Sequence, residues 1–262
     1  MIKKCLTIAG SDCSGCAGIQ GDLKTFSAHG CHGASVVTSV VIKNTSQVIS
    51  TYNLSSDAIK DQIDAVFEDI EIDAVKLGML PTEDIVVTVA ESLKFYKPTN
   101  IVCDPILVSA DGYKLVNDDA AEALRKYIFP IADVITPNIR ETEIFTGIEI
   151  KSVEDMERAA RALVEGGAKA ALIKGGHLTE DARDIFFDGE QLHSFVTGRL
   201  NNHDVHGMGC MLSSAIAANL AHDYGLRESI KLAKDYVTKA IRHSFAVGRG
   251  QDVLHHFYHF WS

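Results

Sequence analysis

Short apolar runs rich in β-branched residues alternate along this chain with longer segments of helical period. This alternation is typical of parallel βαβ units, because a helix must carry the chain back to the start of each new parallel strand. We therefore predict an α/β protein with a central, mostly parallel sheet. The predicted strands are residues 6–9, 35–42, 74–77, 101–103, 134–136 and 170–173.

The segments between these strands carry apolar residues at helical spacing, which marks one buried face on each helix. Ser152 begins an S-x-x-D capping pattern with Asp155, which predicts the start of a helix. The Asp188-Gly189 pair between two apolar runs predicts a β-hairpin over residues 183–195. The predicted helix stripes include Ile59, Ile63, Val66 and Phe67; Ile85, Val89 and Leu93; Met156, Ala159, Ala160, Leu163 and Val164; and Ile230, Ala233, Val237, Ala240 and Ile241.

The composition favours one domain and argues against a nucleic-acid partner. The chain has 262 residues, 46% of them hydrophobic, which is enough to bury a sizeable core, so we expect a single domain over residues 1–262. A net charge of −10 without a Lys/Arg run would repel a phosphate backbone. The first apolar run is too short for a secretory signal, and no stretch approaches the ~20 residues that span a bilayer. We expect a cytoplasmic protein with no membrane partner.

The six cysteines are irregularly spaced, which favours reduced thiols over a disulfide framework. Cys13 and Cys16 could instead form a redox pair or half of a zinc site, although a second C-x-x-C is absent. The remaining zinc ligands would then be His203, His206 or Cys210. The His-rich segment 254–261 resembles a metal-binding tract only superficially, and we expect a solvated or interface-packed C-terminus there.

Glycine or polar clusters follow almost every predicted strand. In a parallel sheet these clusters share one edge, and ligands of open α/β sheets bind outside the carboxyl ends of the strands. This edge is therefore the expected active site. The clusters are Gly10-Ser11-Asp12, Lys43-Asn44-Thr45, Gly78-Met79, Asp104-Pro105, Pro137-Asn138 and Lys174-Gly175-Gly176.

The segment 207–210 is the best candidate for a phosphate cradle, because its two glycines precede the apolar helical run 212–220. Unpaired amides and the dipole at a helix start favour an anion. Cys210 would lie in the first turn, where we expect its pKa to fall and a thiolate to take a proton from a substrate hydroxyl. The earlier glycine loop 10–17 lacks both the Lys-Ser/Thr of a P-loop and the dinucleotide fingerprint.

Several ordered motifs resemble those of the bacterial hydroxymethylpyrimidine/phosphomethylpyrimidine kinase family of thiamine biosynthesis, within the ribokinase-like superfamily. The resemblance extends from about residue 4 to about residue 245. Its motifs are Leu6-Thr7-Ile8-Ala9-Gly10-Ser11-Asp12, Ala17-Gly18-Ile19-Gln20, Asp22-Leu23-Lys24-Thr25-Phe26, Gly78-Met79-Leu80, Thr136-Pro137-Asn138, Lys174-Gly175-Gly176-His177 and His206-Gly207-x-Gly209-Cys210.

The resemblance implies a ribokinase-like α/β fold with helices on both faces of the sheet, and a homodimer. It also implies ATP- and Mg²⁺-dependent phosphorylation of a pyrimidine alcohol, 4-amino-5-hydroxymethyl-2-methylpyrimidine, and then of its monophosphate. The implied catalytic residues are Cys210, Gly207, Gly209 and Asp104. The implied pyrimidine pocket is Asp12, Ala17, Asp22, Lys43, Met79 and Ile106. The implied ATP contacts are Lys174, Asn138, Met208 and His206, and the implied magnesium residues are Glu141, Asn138 and Asp104.

The chain departs from the family pattern at Lys43, where the family usually has glutamine. A lysine only donates hydrogen bonds, whereas an amide donates and accepts them. Lys43 would therefore either contact a phosphate of the second-step substrate or turn outward. Two alternatives stay open: a kinase for vitamin B6 alcohols such as pyridoxal, and a non-catalytic metal- or nucleotide-binding protein built on the same fold.

Overall fold

The computed structural model describes residues 1–109, 112–176, 178, 181–198 and 205–261. Nine strands form one sheet in the order β3-β2-β1-β4-β5-β6-β7-β8-β9, and β10 pairs with β11. The strands are β1 Lys4–Asp12, β2 His32–Lys43, β3 Val48–Asn53, β4 Ala74–Leu77, β5 Ile101–Cys103, β6 Val134–Ile135, β7 Ala171–Gly175, β8 Asp181–Phe187, β9 Leu192–Gly198, β10 Val205–His206 and β11 Asp252–Val253.

The six central strands of the sheet are parallel; in sheet order they are β2, β1, β4, β5, β6 and β7. The antiparallel pairings lie at the two edges. The mostly parallel sheet predicted from the sequence is thus confirmed. All six predicted strands exist, and the predicted hairpin is β8–β9. The sequence analysis missed the edge strand β3, which returns antiparallel to β2 after a four-residue loop.

Helices cover both faces of the sheet, as the ribokinase-like fold class requires. One core lies between the sheet and α2, α3, α4, α5 and α6, and the other lies between the sheet and α1, α7 and α8. A π-helical turn, Leu124–Ile128, extends α4. The helices are α1 Gly18–Ala28, α2 Ser56–Phe67, α3 Glu83–Tyr96, α4 Asp118–Ala123, α5 Ile139–Thr146, α6 Val153–Glu165, α7 Met208–Ala221 and α8 Leu226–Arg242.

Neighbouring side chains of a strand point to opposite faces and therefore into different cores. In β4, Val75 and Leu77 belong to the core under α2 and α3, whereas Ala74 belongs to the core under α1 and α7. Lys76 alternates with Leu77 and so points toward α1 and α7. Within the described ranges, no helix is long and apolar enough to cross a bilayer.

The C-terminal segment was expected to be solvated or packed at an interface; its residues 254–256 are instead buried against the chain's own helices, while residues 259–261 are exposed. His255 and His256 are buried, and His256 Nδ1 lies 3.2 Å from Thr25 Oγ1 of α1. Tyr236 of α8 donates a hydrogen bond of 2.8 Å to the carbonyl oxygen of His256. Burial lowers the pKa of His256 to about 3, so this ring is neutral and serves packing.

The capping box at the start of α6, predicted from the sequence, can be tested for its contribution to stability. Ser152 Oγ accepts from the Asp155 amide, and the Asp155 side chain accepts from the Ser152 amide. Ser152→Ala should lower the free energy of unfolding by about 1 kcal/mol, measured by urea denaturation. Ser27→Ala is the control, because that exposed hydroxyl bonds only to the Leu23 carbonyl, and it should change stability by less than about 0.5 kcal/mol. Equal losses would contradict the capping role.

Candidate active site

A cavity of about 1030 Å³ runs along the carboxyl edge of the parallel strands, where the polar clusters were predicted to meet. All six clusters contribute residues to it, so the tertiary structure confirms their convergence. Of the fifteen predicted site residues, the structure places all but Asp22 on the cavity wall. Those present are Asp12, Ala17, Lys43, Met79, Asp104, Ile106, Asn138, Glu141, Lys174, His206, Gly207, Met208, Gly209 and Cys210.

Asp12, at the end of β1, holds the first glycine loop in shape. Its Oδ1 accepts hydrogen bonds from the amide and hydroxyl of Ser14, at 2.8 and 2.6 Å, and its Oδ2 accepts one from the Ala17 amide at 2.9 Å. The loop then enters α1 at Gly18, where φ is +58° and a Cβ would lie 2.3 Å from the Gly10 carbonyl oxygen. Glycine is therefore required at this turn.

Lys43 extends from the end of β2 into the cavity instead of turning outward. Its Nζ lies 3.6 Å from Asp12 Oδ2 and 3.2 Å from His206 Nε2, and 8% of its side chain is exposed. An ammonium group only donates hydrogen bonds, so this contact favours the His206 tautomer in which Nε2 accepts. The cation is thus held between two partners at one end of the cavity.

Asp104 and Lys174 form a second ion pair at the ends of β5 and β7. Lys174 Nζ is 2.6 Å from Asp104 Oδ1, which also accepts from Thr136 Oγ1 at 3.3 Å. Burial acts to lower the pKa of Lys174, but the carboxylates of Asp104 and Glu141 outweigh it and raise the pKa above its usual value. Asp104 Oδ2 is buried and has no hydrogen-bond partner among the described residues. A buried carboxylate oxygen in this state is suited to a cation or a water bound to one.

Helix α7 begins directly over this ion pair, with Gly207 as its N-cap at φ +84°. A Cβ on Gly207 would lie 2.2 Å from the Cys16 carbonyl oxygen, and a Cβ on Gly209 would lie 3.2 Å from Lys174 Nζ. The two glycines let the helix start approach both the first loop and the lysine. The first amides of an α-helix have no partner within the helix, so those of Met208 to Cys210 can bind an anion.

Cys210 differs from the sequence-based expectation in one property. Burial raises the pKa of its thiol to about 11, and the ammonium of Lys76 and the Gly18 amide only partly oppose this. The expected lowering of the pKa at the helix start is therefore wrong for the protein without ligands. The expectation considered the helix dipole but not the loss of water, which disfavours the thiolate more strongly.

Asn138 and Glu141 form the N-terminal cap of α5. Asn138 Oδ1 accepts from the Glu141 amide at 2.9 Å, and Glu141 Oε2 accepts from the Asn138 amide at 2.8 Å. Burial raises the pKa of Glu141 to about 7, with Lys174 acting against this and Asp104 adding to it. Because the cap already uses these side-chain oxygens, Asp104 is better placed than either residue to contact a metal ion directly.

Asp22 lies beneath the cavity and not on its wall. Its side chain is fully buried and accepts hydrogen bonds from Thr7 Oγ1 at 2.6 Å and Ser214 Oγ at 2.7 Å. Lys76 Nζ donates to both carboxylate oxygens, at 3.0 and 2.9 Å. The pocket prediction for Asp22 is corrected on this geometry, because all its partners belong to the protein interior.

The zinc interpretation gains no geometric support from the residues that the structure describes. The Cys13 thiol donates to the Lys43 carbonyl at 3.2 Å, and Cys16 contacts the Ser14 carbonyl at 3.6 Å. In the described ranges, no three His, Cys, Asp or Glu side chains are grouped as a metal site. All six cysteines are free thiols. His203, a possible ligand, and His177 of the family motif lie outside the described residues.

The sequence analysis also missed an ion pair on the cavity wall under α8. Lys234 Nζ is 2.6 Å from Asp184 Oδ2, and Asp184 Oδ1 accepts from the Gly175 amide at 3.1 Å. A signal was present: Asp184 precedes three buried apolar residues of β8, and Lys234 lies next to the buried stripe of α8. A charge within an apolar pattern indicates a buried partner.

Comparison with known proteins decides the family. The phosphomethylpyrimidine kinase family model matches residues 12–255 of this chain, which includes nearly all the residues that line the cavity. The chain belongs to the phosphomethylpyrimidine kinase family. The resemblance drawn from the sequence motifs is thereby confirmed, and it extends further toward the C-terminus than the motifs indicated.

Individual kinases of this kind align over nearly the whole chain. The chain is 42% identical to the hydroxymethylpyrimidine/phosphomethylpyrimidine kinase of Rhizobium meliloti, covering 98% of this chain and 97% of that protein. It is 44% identical to the thiamine biosynthesis bifunctional protein ThiED of Geobacter sulfurreducens, but spans 51% of that protein's length. The solved ADP complex of Bacillus subtilis pyridoxal kinase is 36% identical, covers 98% of both chains and has a TM-score of 0.90.

Gly207 is the position in this kinase where an added methyl group would disturb the anion cradle most. Gly207→Ala forces an L residue to φ +84° and drives its Cβ against the Cys16 carbonyl, so the first turn of α7 must shift. We expect kcat/KM to fall at least about 100-fold, measured by steady-state phosphorylation, because misplacement by about 1 Å has that effect. Gly198→Ala, where a Cβ meets nothing within 4 Å, is the control. A Gly207→Ala enzyme within about threefold of the parent would contradict the cradle.

Proposed function

We propose that this kinase transfers the terminal phosphoryl group of ATP to the hydroxymethyl group of 4-amino-5-hydroxymethyl-2-methylpyrimidine, and then phosphorylates the resulting monophosphate. The observation that carries the proposal is the convergence of the α7 amides, Lys174 and Asp104 at one point of a single cavity. The names of the Rhizobium and Geobacter relatives support this choice of substrate and of pathway.

The donor end of the cavity is built for negative charge. Phosphoryl transfer requires mainly positioning and charge neutralisation, and oriented amides with a buried lysine supply both. The amides of residues 208–210 bind the transferring group, and Lys174, which lies next to Gly209, supplies a positive charge beside it. Asp104 keeps the Lys174 ammonium in place at 2.6 Å, so little reorganisation is needed when the phosphates arrive.

The residues at this end fit a magnesium ion. Asp104 Oδ2 is a buried carboxylate oxygen without a hydrogen-bond partner among the described residues, and Mg²⁺ commonly binds through one or two carboxylates plus waters and substrate phosphates. Bound there, the ion would neutralise charge on the phosphates. Asp104 would hold the ion directly. Glu141 and Asn138, which cap the start of α5, would influence it without contacting it.

The acceptor end holds the alcohol next to Cys210. Asp12, Lys43 and His206 offer polar contacts on one side, and Met79 and Ile106 offer apolar surface on the other. In the transfer, the hydroxyl oxygen bonds to phosphorus and the bond to the departing ADP oxygen breaks. Cys210 first releases its thiol proton to solvent, and the resulting thiolate takes the hydroxyl proton. Because the Cys210 sulfur accepts a hydrogen bond from the Gly18 amide, it is oriented before the substrate binds.

Phosphorylation of pyridoxal is the second candidate. The Bacillus subtilis pyridoxal kinase matches this chain over 98% of its length at 36% identity, so the fold is shared. Pyridoxal also presents a hydroxymethyl group on a six-membered nitrogen ring. Its aldehyde could react reversibly with a nearby thiol such as Cys210 or Cys13, which the aminopyrimidine cannot do.

We further propose that the protein forms a homodimer and that it is located in the cytoplasm.

The substrate can be assigned with a screen of ring alcohols. We expect ATP turnover with the aminopyrimidine alcohol, at a kcat/KM at least about tenfold above that for pyridoxal, and mass spectra showing mono- and diphosphorylated products. A ratio of tenfold or more in favour of pyridoxal would assign the second candidate instead. Absence of turnover on every pyrimidine and pyridine alcohol, together with stoichiometric zinc in the purified protein, would reject both kinase activities.

A substitution at Lys43 tests whether its positive charge binds the phosphate of the second substrate. Lys43→Gln keeps hydrogen bonding but removes the charge, so we expect KM for the monophosphate to rise about tenfold or more, as charge-assisted hydrogen bonds to phosphate are the strong ones. KM for the alcohol should change less than about threefold. Steady-state kinetics with each acceptor measures this, and Lys94→Gln on the exposed face of α3 is the charge-matched control. A larger loss with the alcohol than with the monophosphate would contradict this role.

A further inference from the structure

Lys76 is the most unusual charged residue of the interior, because it lies within the central strand β4 and has no exposed surface. A buried ammonium carries a large desolvation cost, even when it is paired. Apolar residues of similar volume often stabilise a protein as well as a buried ion pair does. Stability alone therefore gives no reason for a lysine at this position, and its surroundings show what else it does.

The position of the Lys76 ammonium is tightly constrained. Both oxygens of Asp22 accept from it, and Asp22 is held in turn by Thr7 and Ser214. A Cβ on Gly78 would lie 2.8 Å from Lys76 Nζ, so the backbone of the following loop closes over the amine. The charge is therefore fixed in space before any ligand binds.

This fixed charge lies under the catalytic end of α7. Ser214, which bonds Asp22, follows Cys210 by one helical turn and shares its face of the helix. The floor of the cavity reaches Lys76 itself, although no part of the side chain is open to solvent. The ammonium is the largest influence that opposes the effect of burial on the pKa of Cys210, and Cys210 acts reciprocally on Lys76.

The other charged groups around Cys210 make this lysine necessary. Asp22 on α1 and Asp104 after β5 both disfavour negative charge on the sulfur. On α8, Lys234 is already paired with Asp184. On β7, Lys174 is paired with Asp104 and also favours negative charge on the Cys210 sulfur. Without Lys76, Lys174 would be left to offset the carboxylates of Asp22 and Asp104 when Cys210 takes a proton from the substrate.

We propose that Lys76, fixed by Asp22 and Ser214, is a positioning residue that stabilises the negative charge on the Cys210 sulfur and on the transferring phosphoryl group. This inference rests on the proposed function for its effect on turnover. Its effect on the Cys210 thiolate is independent of substrate, so the two can fail separately. The Lys76 ammonium would act through its field, without touching the substrate.

The test removes both buried charges together, so that neither is left unpaired. Lys76→Met/Asp22→Asn keeps the lengths of both side chains, and the new amide can accept a hydrogen bond from one of the Thr7 and Ser214 hydroxyls and donate one to the other. Loss of the Asp22 carboxylate partly offsets loss of the ammonium, but Lys76 has the larger influence on the sulfur. We therefore expect kcat to fall about tenfold while KM for ATP and for the alcohol changes less than about threefold, which is the signature of an interaction made in the transition state. The pH midpoint for alkylation of Cys210 by iodoacetamide, followed on its peptide by mass spectrometry, should rise by about half a unit.

Val75→Ala is the control, because it weakens the core in the same strand without a change of charge. It should leave the pH midpoint for alkylation of Cys210 unchanged. If the midpoint changes in both variants, a general loosening of β4 is the cause, and that result would overturn the proposal. An unchanged midpoint in the charge-free double variant would also overturn it, whether or not the parent phosphorylates the alcohol. If that variant lacks the parent's circular dichroism spectrum, Lys76→Gln/Asp22→Asn carries the same expectations.

Discussion

The close contact between the start of α7 and the carboxyl edge of the sheet is the constraint on which the rest of this structure depends. It requires Gly207 to adopt a positive φ over the Cys16 carbonyl and Gly209 to lie almost against Lys174. The first approach leaves no room for a side chain, and the second would require the Lys174 ammonium to shift. The cavity, its anion-binding amides and the placement of Cys210 all follow from two positions that lack a Cβ.

Charge in the cavity is balanced before any ligand binds. Asp12 with Lys43, Asp104 with Lys174, and Asp22 with Lys76 are three carboxylate–ammonium pairs at or just beneath the wall. Each carboxylate offsets the desolvation of its lysine. Lys43 and Lys174 are thereby held on the cavity wall where a phosphate would meet them, whereas Lys76 is held beneath it. The pairs serve orientation more than stability.

The sequence predicted what depends on local pattern and on topology. Buried parallel strands show as apolar runs, and their polar ends had to meet once the sheet was parallel, so the positions of Asp104, Asn138 and Lys174 could be inferred. Properties that depend on tertiary burial were missed or wrong. The pKa of Cys210 follows from the loss of water around it, and the position of Asp22 follows from a partner 54 residues away. The edge strand β3 was missed because one half-exposed hairpin arm carries little hydrophobic signal.

Helix α7 has no solvent-facing stripe, since every residue from Cys210 to Ala221 is buried. It packs against the sheet on one side and against α1 and α8 on the others. Unwinding such a helix means dismantling most of one core, so the amides beyond its first turn should exchange with solvent only when that core unfolds. A nucleotide entering the cavity therefore meets first-turn donors whose helix is already in place.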